Sequence, residues 1–431
     1  MSLSGRSYLI AALIALLGII GQWSGGPWAE LWRYPAAAFV LALAYEAMRL
    51  RLRPVPLQRV SEPRALLGRP LQGQWRVENN EPRPLVMRSM AEFAPGMLGE
   101  RRIVNWRVPA DTVTSQPFSI TPQQLGTLHW RPVYTHTLGR FGLAWWNRRA
   151  SLPGTLRVVP DRLHHYEYQG GTRQSGERNK RNRGVGHELL ALRDYQPGDP
   201  LRAVDWKATA RSAKPTVRLY TEEQHLELML LIDCGRTSQL QAGQLSRLHH
   251  YVNVAARLAQ KAVQQGDHVG LVTFADAPLH WFAPQRGQQA LHGVRKLLEQ
   301  VRTLPRESNP LAAVLKMRQL VRQRALVVVF TDIDGTGSSE QLLKAVQLMQ
   351  PKHLPLFAGI VDEEIAALNN SLASEWLDPY HALAARETRH AAAHTVLQLQ
   401  QLGCQVIEAK ARQLDEQVLT CYDRLRERRR V

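Results

Sequence analysis

The 431-residue chain has only three cysteines, Cys234, Cys404 and Cys421, far apart and in no paired spacing, so neither a disulfide framework nor a cysteine zinc site is indicated. It has no GxxxxGK[ST] loop to cradle a nucleotide's phosphates, which excludes ATP hydrolysis of that kind. No GxSxG elbow occurs. His187-Glu188 opens like a zinc-protease HExxH, but Ala191 stands where the second histidine is needed. The pairs His164-His165 and His249-His250 have no acidic or cysteine companion, and adjacent residues on a helix cannot share a face as an i, i+4 pair does. Cys234 follows an aspartate at a strand end, where the reading is a buried structural thiol, with an activated thiolate as the alternative. These absences point away from an enzyme. Acidic residues are also scarce: 37 Asp and Glu against 55 Lys and Arg leave a net charge of +18, which suits an anionic partner such as nucleic acid, phospholipid or an acidic protein surface, with a simply basic cytosolic part as the equal alternative.

Long apolar runs occur only near the N-terminus. Residues Tyr8 to Trp23 and Tyr34 to Leu50 are two such runs, separated by a loop carrying only Glu30 and Arg33. Each falls just short of the ~20 residues that cross a bilayer, and flanking residues complete the span. Trp23, Trp28 and Trp32 gather at one end as interfacial aromatics do. Arg6 precedes the first run, and Arg49, Arg51 and Arg53 follow the second. The positive-inside rule then places both ends, and everything after residue 53, in the cytoplasm as part of a multi-pass inner-membrane protein. A cleaved signal peptide is the competing reading, and the second run with its arginine stop argues against it. Glu46, inside the second run, is either an intramembrane functional acid or an interfacial residue beside Arg49.

Length alone suggests two or three domains. We divide the chain into a transmembrane hairpin (1–53), a β-rich domain (54–160), a linker with a polar signature (161–220) and an α/β domain (221–431). From Val55 to Pro160, alternating apolar residues and frequent proline and glycine predict a small antiparallel sandwich, with Trp145 and Trp146 in a core or interface. Residues 170–186 (GGTRQSGERNKRNRGVG) are basic and nearly devoid of apolar side chains. They read as a linker or exposed arm, and through Arg178, Lys180, Arg181 and Arg183 as an alternative binder of anionic polymer or lipid. No aromatics are interleaved to stack bases, which disfavours nucleic acid.

After Thr221, strand and helix alternate. Strands are expected at Leu226 to Asp233, His268 to Phe274, Leu279 to Phe282, Ala325 to Asp332, Leu354 to Val361 and Cys404 to Glu408. Helices are expected near Ser246 to Gln265, Gly287 to Arg302, Ser339 to Gln350, Ala382 to Leu402 and Leu414 to Arg430. That pattern predicts a doubly wound α/β domain. Two of its strands end in aspartate, Asp233 and Asp332, at the edge where such sheets gather ligands.

The densest polar chemistry lies in GHELLALRDYQPGDPLRAVDWKATAR, from Gly186 to Arg211. Arg193, Tyr195, Gly198, Asp199, Arg202, Asp205, Trp206, Ala210 and Arg211 together resemble the defining motif of the bacterial DUF58 family. VENNEPRPL, TLGRFGLAWW and VVPD at 158–161 are similar to that family's region ahead of the motif. The residues themselves allow two readings. Arg193, Asp199, Arg202 and Asp205 interlock as ion pairs with Trp206 packed on an arginine plane, or the same residues form a docking surface.

The resemblance implies an α/β domain of von Willebrand factor A type and a MoxR-type AAA+ ATPase as partner, with this chain as a membrane-anchored adaptor in protein maturation or complex assembly. It also implies a modified metal-ion-dependent adhesion site. On that pattern Asp233, Thr237, Asn309 and Asp332 fall at ligand positions for magnesium, while Gly235 replaces a serine and Arg236 adds a cation. An unrecognised metal-dependent hydrolase at the Asp233 and Asp332 edge is the third reading.

Overall fold

The computed structural model of the chain describes residues 1–24, 30–52, 55–162, 183–197, 199, 201–212, 214–221, 225–333, 339–370 and 376–428. Contacts divide it into two compact units: Met1–Asp161 with Gly243–His249 and Leu298–Val301, and the remainder.

The first unit opens with β1 (Ser2–Leu3), α1 (Gly5–Ser24) and α2 (Arg33–Leu52). Apolar side chains clothe α1 on every side and stay exposed, among them Leu9, Leu13, Leu16, Ile20 and Trp23. A helix of a water-soluble core buries one stripe instead. The stretch Gly5–Trp23 is long and apolar enough to cross a membrane. The helix α2 is equally long but carries Arg33, Glu46, Arg49 and Arg51, and among the described residues α1 alone meets that criterion.

The strands that follow are β2 (Leu57–Ser61), β3 (Arg64–Leu66), β4 (Leu71–Asn79), β5 (Leu85–Ala91), β6 (Met97–Gly99), β7 (Ile103–Val108), β8 (Thr112–Pro122), β9 (Gly126–His129), β10 (Val133–Leu138), β11 (Ala144–Ala150) and β12 (Thr155–Val159). They form sheets ordered β1-β11-β10-β5-β7, β2-β4-β8-β6 and β3-β12-β9. Alternation in the sequence becomes alternation in burial. Along β4, Gly73, Trp75, Val77 and Asn79 point inward and their neighbours outward, and Trp75 and Val77 pack with Met87, Trp106, Val108 and Val133. The β-rich reading therefore holds, with three sheets rather than two, and with β12 pairing parallel to β3.

In the second unit β13 (Arg183–Asp194) pairs antiparallel with β14 (Thr216–Thr221), and the loop between them carries the short helix α3 (Trp206–Ser212). Then come β15 (Glu227–Asp233), two short strands β16 (Gln241–Ala242) and β17 (Leu245–Ser246), α4 (Arg247–Gln264), β18 (His268–Phe274), β19 (Pro278–Gln285), α5 (Gly287–Leu298), α6 (Pro310–Leu320) and β20 (Ala325–Phe330), of which β17 and the start of α4 group with the first unit. The chain finishes with α7 (Ser339–Met349), β21 (Leu354–Ile360), α8 (Glu363–Asn370), α9 (Asp378–Gln401), β22 (Gln405–Ala409) and α10 (Leu414–Arg428). One six-stranded sheet runs β19-β18-β15-β20-β21-β22, parallel except for the antiparallel edge strand β19.

Counted from its first strand this order is 3-2-1-4-5-6, that of a doubly wound sheet with its switch point between β15 and β20. Every residue of β20 is buried, as expected of a strand covered on both faces. On one face Met229, Leu231, Val327 and Val329 meet Met317 of α6, Leu342 of α7 and Leu399 of α9. The helices α6 and α8 lie where no helix was expected from periodicity. The start of α6 was nonetheless written in the sequence: Asn309 caps it through its side chain, and Pro310 occupies the first turn.

Candidate functional site

Three places bring the polar residues of the sequence together. In the signature segment, β13 delivers Arg193 and Tyr195 to a turn. The Arg193 Nη2 donates to Asp199 Oδ1 at 2.6 Å, the Gln196 amide donates to Asp199 Oδ2 at 2.9 Å, and the Tyr195 amide donates to the Pro215 carbonyl at 2.8 Å. A few residues on, Asp205 caps α3: its Oδ1 accepts the Lys207 and Ala208 amides at 3.0 and 3.1 Å, and its Oδ2 accepts Arg218 Nε at 2.8 Å. Its own amide donates to the Thr216 carbonyl at 2.8 Å. The hydrogen bond from Arg218, then that from the Ala208 amide, hold the Asp205 carboxyl down at about 2.

Among the described side chains the motif's charges form two separate ion pairs. Arg193 pairs with Asp199, and Asp205 pairs with Arg218 on β14, a residue outside the motif window. The Arg202 side chain and Gly198 lie outside the described residues. Trp206 is not packed into the frame: on the first turn of α3 it is 71% exposed, with Leu201, five residues earlier, also exposed and Lys207, Ala210 and Arg211 exposed on the same short helix. The ion pairs fix the backbone and the aromatic faces solvent. Residues 191–382 match the DUF58 family.

The matching family is described as a protein family of unknown function, DUF58, and the match begins two residues before Arg193 and runs into α9. Among curated proteins the chain is similar to an uncharacterized protein of Mycobacterium bovis and to uncharacterized proteins of two Mycobacterium tuberculosis strains. Each is 26% identical over 168 residues, which is 38% of this chain and 52% of the relative. The chain thus spans about half the length of the curated relatives it matches. Among solved structures, the CARDB domain of a Pyrococcus furiosus protein in complex with di-metal ions aligns with 24% of this chain and 87% of its own, at 11% identity and a TM-score of 0.18. The cupredoxin domain of amoB from Nitrosocaldus yellowstonii aligns with 21% and 55% at 10% identity and a TM-score of 0.14. Likeness this slight carries no argument.

The second place is the sheet edge within the DUF58 segment. Asp233, at the end of β15, is buried, and its carboxylate is fully engaged. Oδ1 accepts the Gly235 amide at 2.8 Å and the Ser308 hydroxyl at 2.5 Å, and Oδ2 accepts the Thr331 hydroxyl at 2.7 Å. Burial pushes the Asp233 carboxyl up, the three hydrogen bonds oppose that, and buried Asp332 nearby adds to the rise. A Cβ at Gly235 would overlap the Ser308 hydroxyl, so the bare backbone at 235 and the Ser308 bond belong together.

Of the four candidate magnesium ligands, Asp233 is taken up by these hydrogen bonds and Asn309 by a helix cap. Asn309, placed by its spacing among the ligands, instead caps α6, its Oδ1 accepting the Ala312 amide at 3.1 Å. Thr237 lies half-buried in the helical turn Arg236–Gln239, where neighbouring Ser238 donates to the Asp233 carbonyl at 2.8 Å. Arg236 pairs with Glu307 at 2.8 Å. Among the described residues no group of three or more His, Cys, Asp or Glu could hold a metal ion. Cys234 is buried and its thiol is pushed up, by desolvation first and by Asp233 second, which favours the buried structural thiol.

The third place was missed by sequence reasoning. Glu46 of α2, 1% exposed, reaches into the tight turn between β10 and β11. Its Oε1 accepts the Phe141 amide at 2.6 Å and the Leu143 amide at 3.5 Å, and its Oε2 accepts Trp146 Nε1 at 3.4 Å. Any side chain at Gly139 would occupy the space of the Glu46 carboxylate. The same turn receives the start of α1: the Ser4 hydroxyl donates to the Gly142 carbonyl, the Ser7 hydroxyl to the Leu143 carbonyl, and β1 extends the sheet beside β11. The motif TLGRFGLAWW is therefore a socket for both helices. A glutamate breaking an apolar run, and a Gly-x-x-Gly turn in a strand pair, were the available signals. The basic arm of residues 173–183 lies almost wholly outside the described residues.

Proposed function

We propose that this chain is a membrane-anchored, non-enzymatic interaction module that presents its DUF58 signature to a MoxR-type AAA+ ATPase in protein maturation or complex assembly. The observation that carries the reading is Trp206, exposed on a helix whose start is pinned by Asp205 and Arg218. Exposed tryptophan beside cations on a fixed frame is the composition of a protein-binding hot spot rather than of a core. The partner's identity comes from the family resemblance, which also suggests a von Willebrand A-like domain. Its support is the strand order 3-2-1-4-5-6 with an antiparallel edge. Anchoring through two spans with both ends in the cytoplasm is supported by exposed apolar side chains on both helices, by Arg49 and Arg51 closing α2, and by the shared socket that holds the start of α1 and the last turns of α2.

The test is affinity capture of full-length protein from gently solubilised membranes after brief crosslinking, with and without ATP. Recovery of an AAA+ ATPase is expected. Trp206→Ala should lower its recovery roughly tenfold or more while the melting temperature is unchanged. Unchanged recovery by a folded Trp206→Ala protein excludes this face, and a large loss of melting temperature would assign Trp206 to the scaffold instead.

A further inference from the structure

At the C-terminal end of α2 a cavity of about 310 Å³ opens between that helix and the strands β4, β5 and β10. Glu46, Arg49 and Leu50, spaced i, i+3 and i+4, present one helix face to it. Most of its polar wall is spoken for. Glu46 is held by the turn, Arg49 Nη2 pairs with Glu81 at 2.8 Å, and the Asn79 side-chain amide donates to the carbonyls of Arg83, Val108 and Pro109. One donor is left over: Arg49 Nη1 is buried with no hydrogen-bond partner among the described residues. A buried guanidinium N–H without an acceptor is costly, and native structures fill such a position with water, an ion or a ligand. Arg83 and Arg140, both exposed, stand at the rim, with Arg140 Nη1 3.4 Å from the Tyr45 hydroxyl.

We propose that this cavity binds the phosphate of a phospholipid headgroup, held by Arg49 and Arg140. The proposal rests on the membrane-anchored reading above, because α2 then brings the cavity to the bilayer's polar layer: Val40, Leu41 and Tyr45 are exposed just before it along the helix. Guanidinium groups match phosphate oxygens in geometry and charge. The lining holds three arginines, Arg49, Arg83 and Arg140, and three glutamates, Glu46, Glu78 and Glu81.

Full-length protein is reconstituted in phosphatidylethanolamine and phosphatidylglycerol nanodiscs, released into detergent and analysed by native mass spectrometry, with flotation of proteoliposomes measured in parallel. Wild type is expected to retain one phospholipid per chain. Arg49→Gln and the rim variant Arg140→Gln should each retain roughly tenfold less, with unchanged melting temperature for Arg140→Gln. Equal retention by wild type and a folded Arg140→Gln protein, or displacement of the lipid by millimolar inorganic phosphate, overturns the site. Failure of the wild type to float overturns the membrane reading separately.

Discussion

Asp233 shows how a carboxylate at a strand end is satisfied within the fold. An aspartate closing an apolar strand at the switch edge of a doubly wound sheet is where a cation site would be sought, yet here both oxygens are taken by Gly235, Ser308 and Thr331. Removing the side chain strands two hydroxyls and an amide, so Asp233→Ala should lose about 2–4 kcal/mol in chemical denaturation. Asp233→Asn keeps an acceptor and removes the buried charge, and should stay within about 1 kcal/mol of wild type at neutral pH. Because the carboxyl is raised in the folded protein, folding takes up a proton between the unfolded and folded values. The contribution of Asp233 is thus most favourable at low pH and weakens as pH rises through the folded value, a slope that Asp233→Asn should remove. Equal losses for Ala and Asn would refute the hydrogen-bond account. Neither Ser308 nor Thr331 stood out in the sequence, since hydroxyls acquire a role only when folding brings them within bonding distance.

At the scale of elements, α2 and the β10–β11 turn act as plug and socket. The turn leaves amides at Phe141 and Leu143 pointing inward, and Glu46 supplies the acceptor they need. Glu46→Ala should raise hydrogen exchange at those two amides about tenfold or more in detergent-solubilised protein, while Glu46→Gln, which retains an acceptor oxygen, should change it far less. Unaltered protection in the alanine variant would show that the turn holds itself. A comparable clamp seats the last helix. Buried Asp267 accepts the Leu226 amide at 3.1 Å, the Tyr422 hydroxyl and Arg426 Nε at 3.0 Å, so α10 is fastened to the sheet by charge as well as by buried Leu414, Val418 and Tyr422.

For the whole molecule, the two-span reading makes a topological prediction. The three native cysteines are buried, so an introduced cysteine can serve as the reporter. Glu30→Cys, at an exposed position between α1 and α2, should react with a membrane-impermeant maleimide in intact cells, whereas Ser61→Cys in the β-rich domain should react only after lysis. Labelling of both from outside, or of neither, would remove the hairpin arrangement.

The sequence by itself determined most of the elements and their burial, with α6 and α8 as exceptions. Continuous apolar runs such as Leu228 to Ile232 and Ala325 to Phe330 became strands covered on both faces, alternation along Leu71 to Asn79 became a one-sided strand, and the predominantly apolar α1 became a helix long enough for a membrane, because periodicity and length are local properties of the chain. It also marked the DUF58 signature through residues at fixed spacing. Tertiary structure decided which polar groups meet. It paired Asp205 with Arg218 rather than with its motif neighbours, closed Asp233 with hydroxyls from two distant loops, drew Glu46 to a turn 95 residues away, and left Trp206 outside the frame. Such partners are fixed by where the backbone carries each group once water is excluded, and by the requirement that buried charges and amides be satisfied, neither of which is written at any single position of the chain.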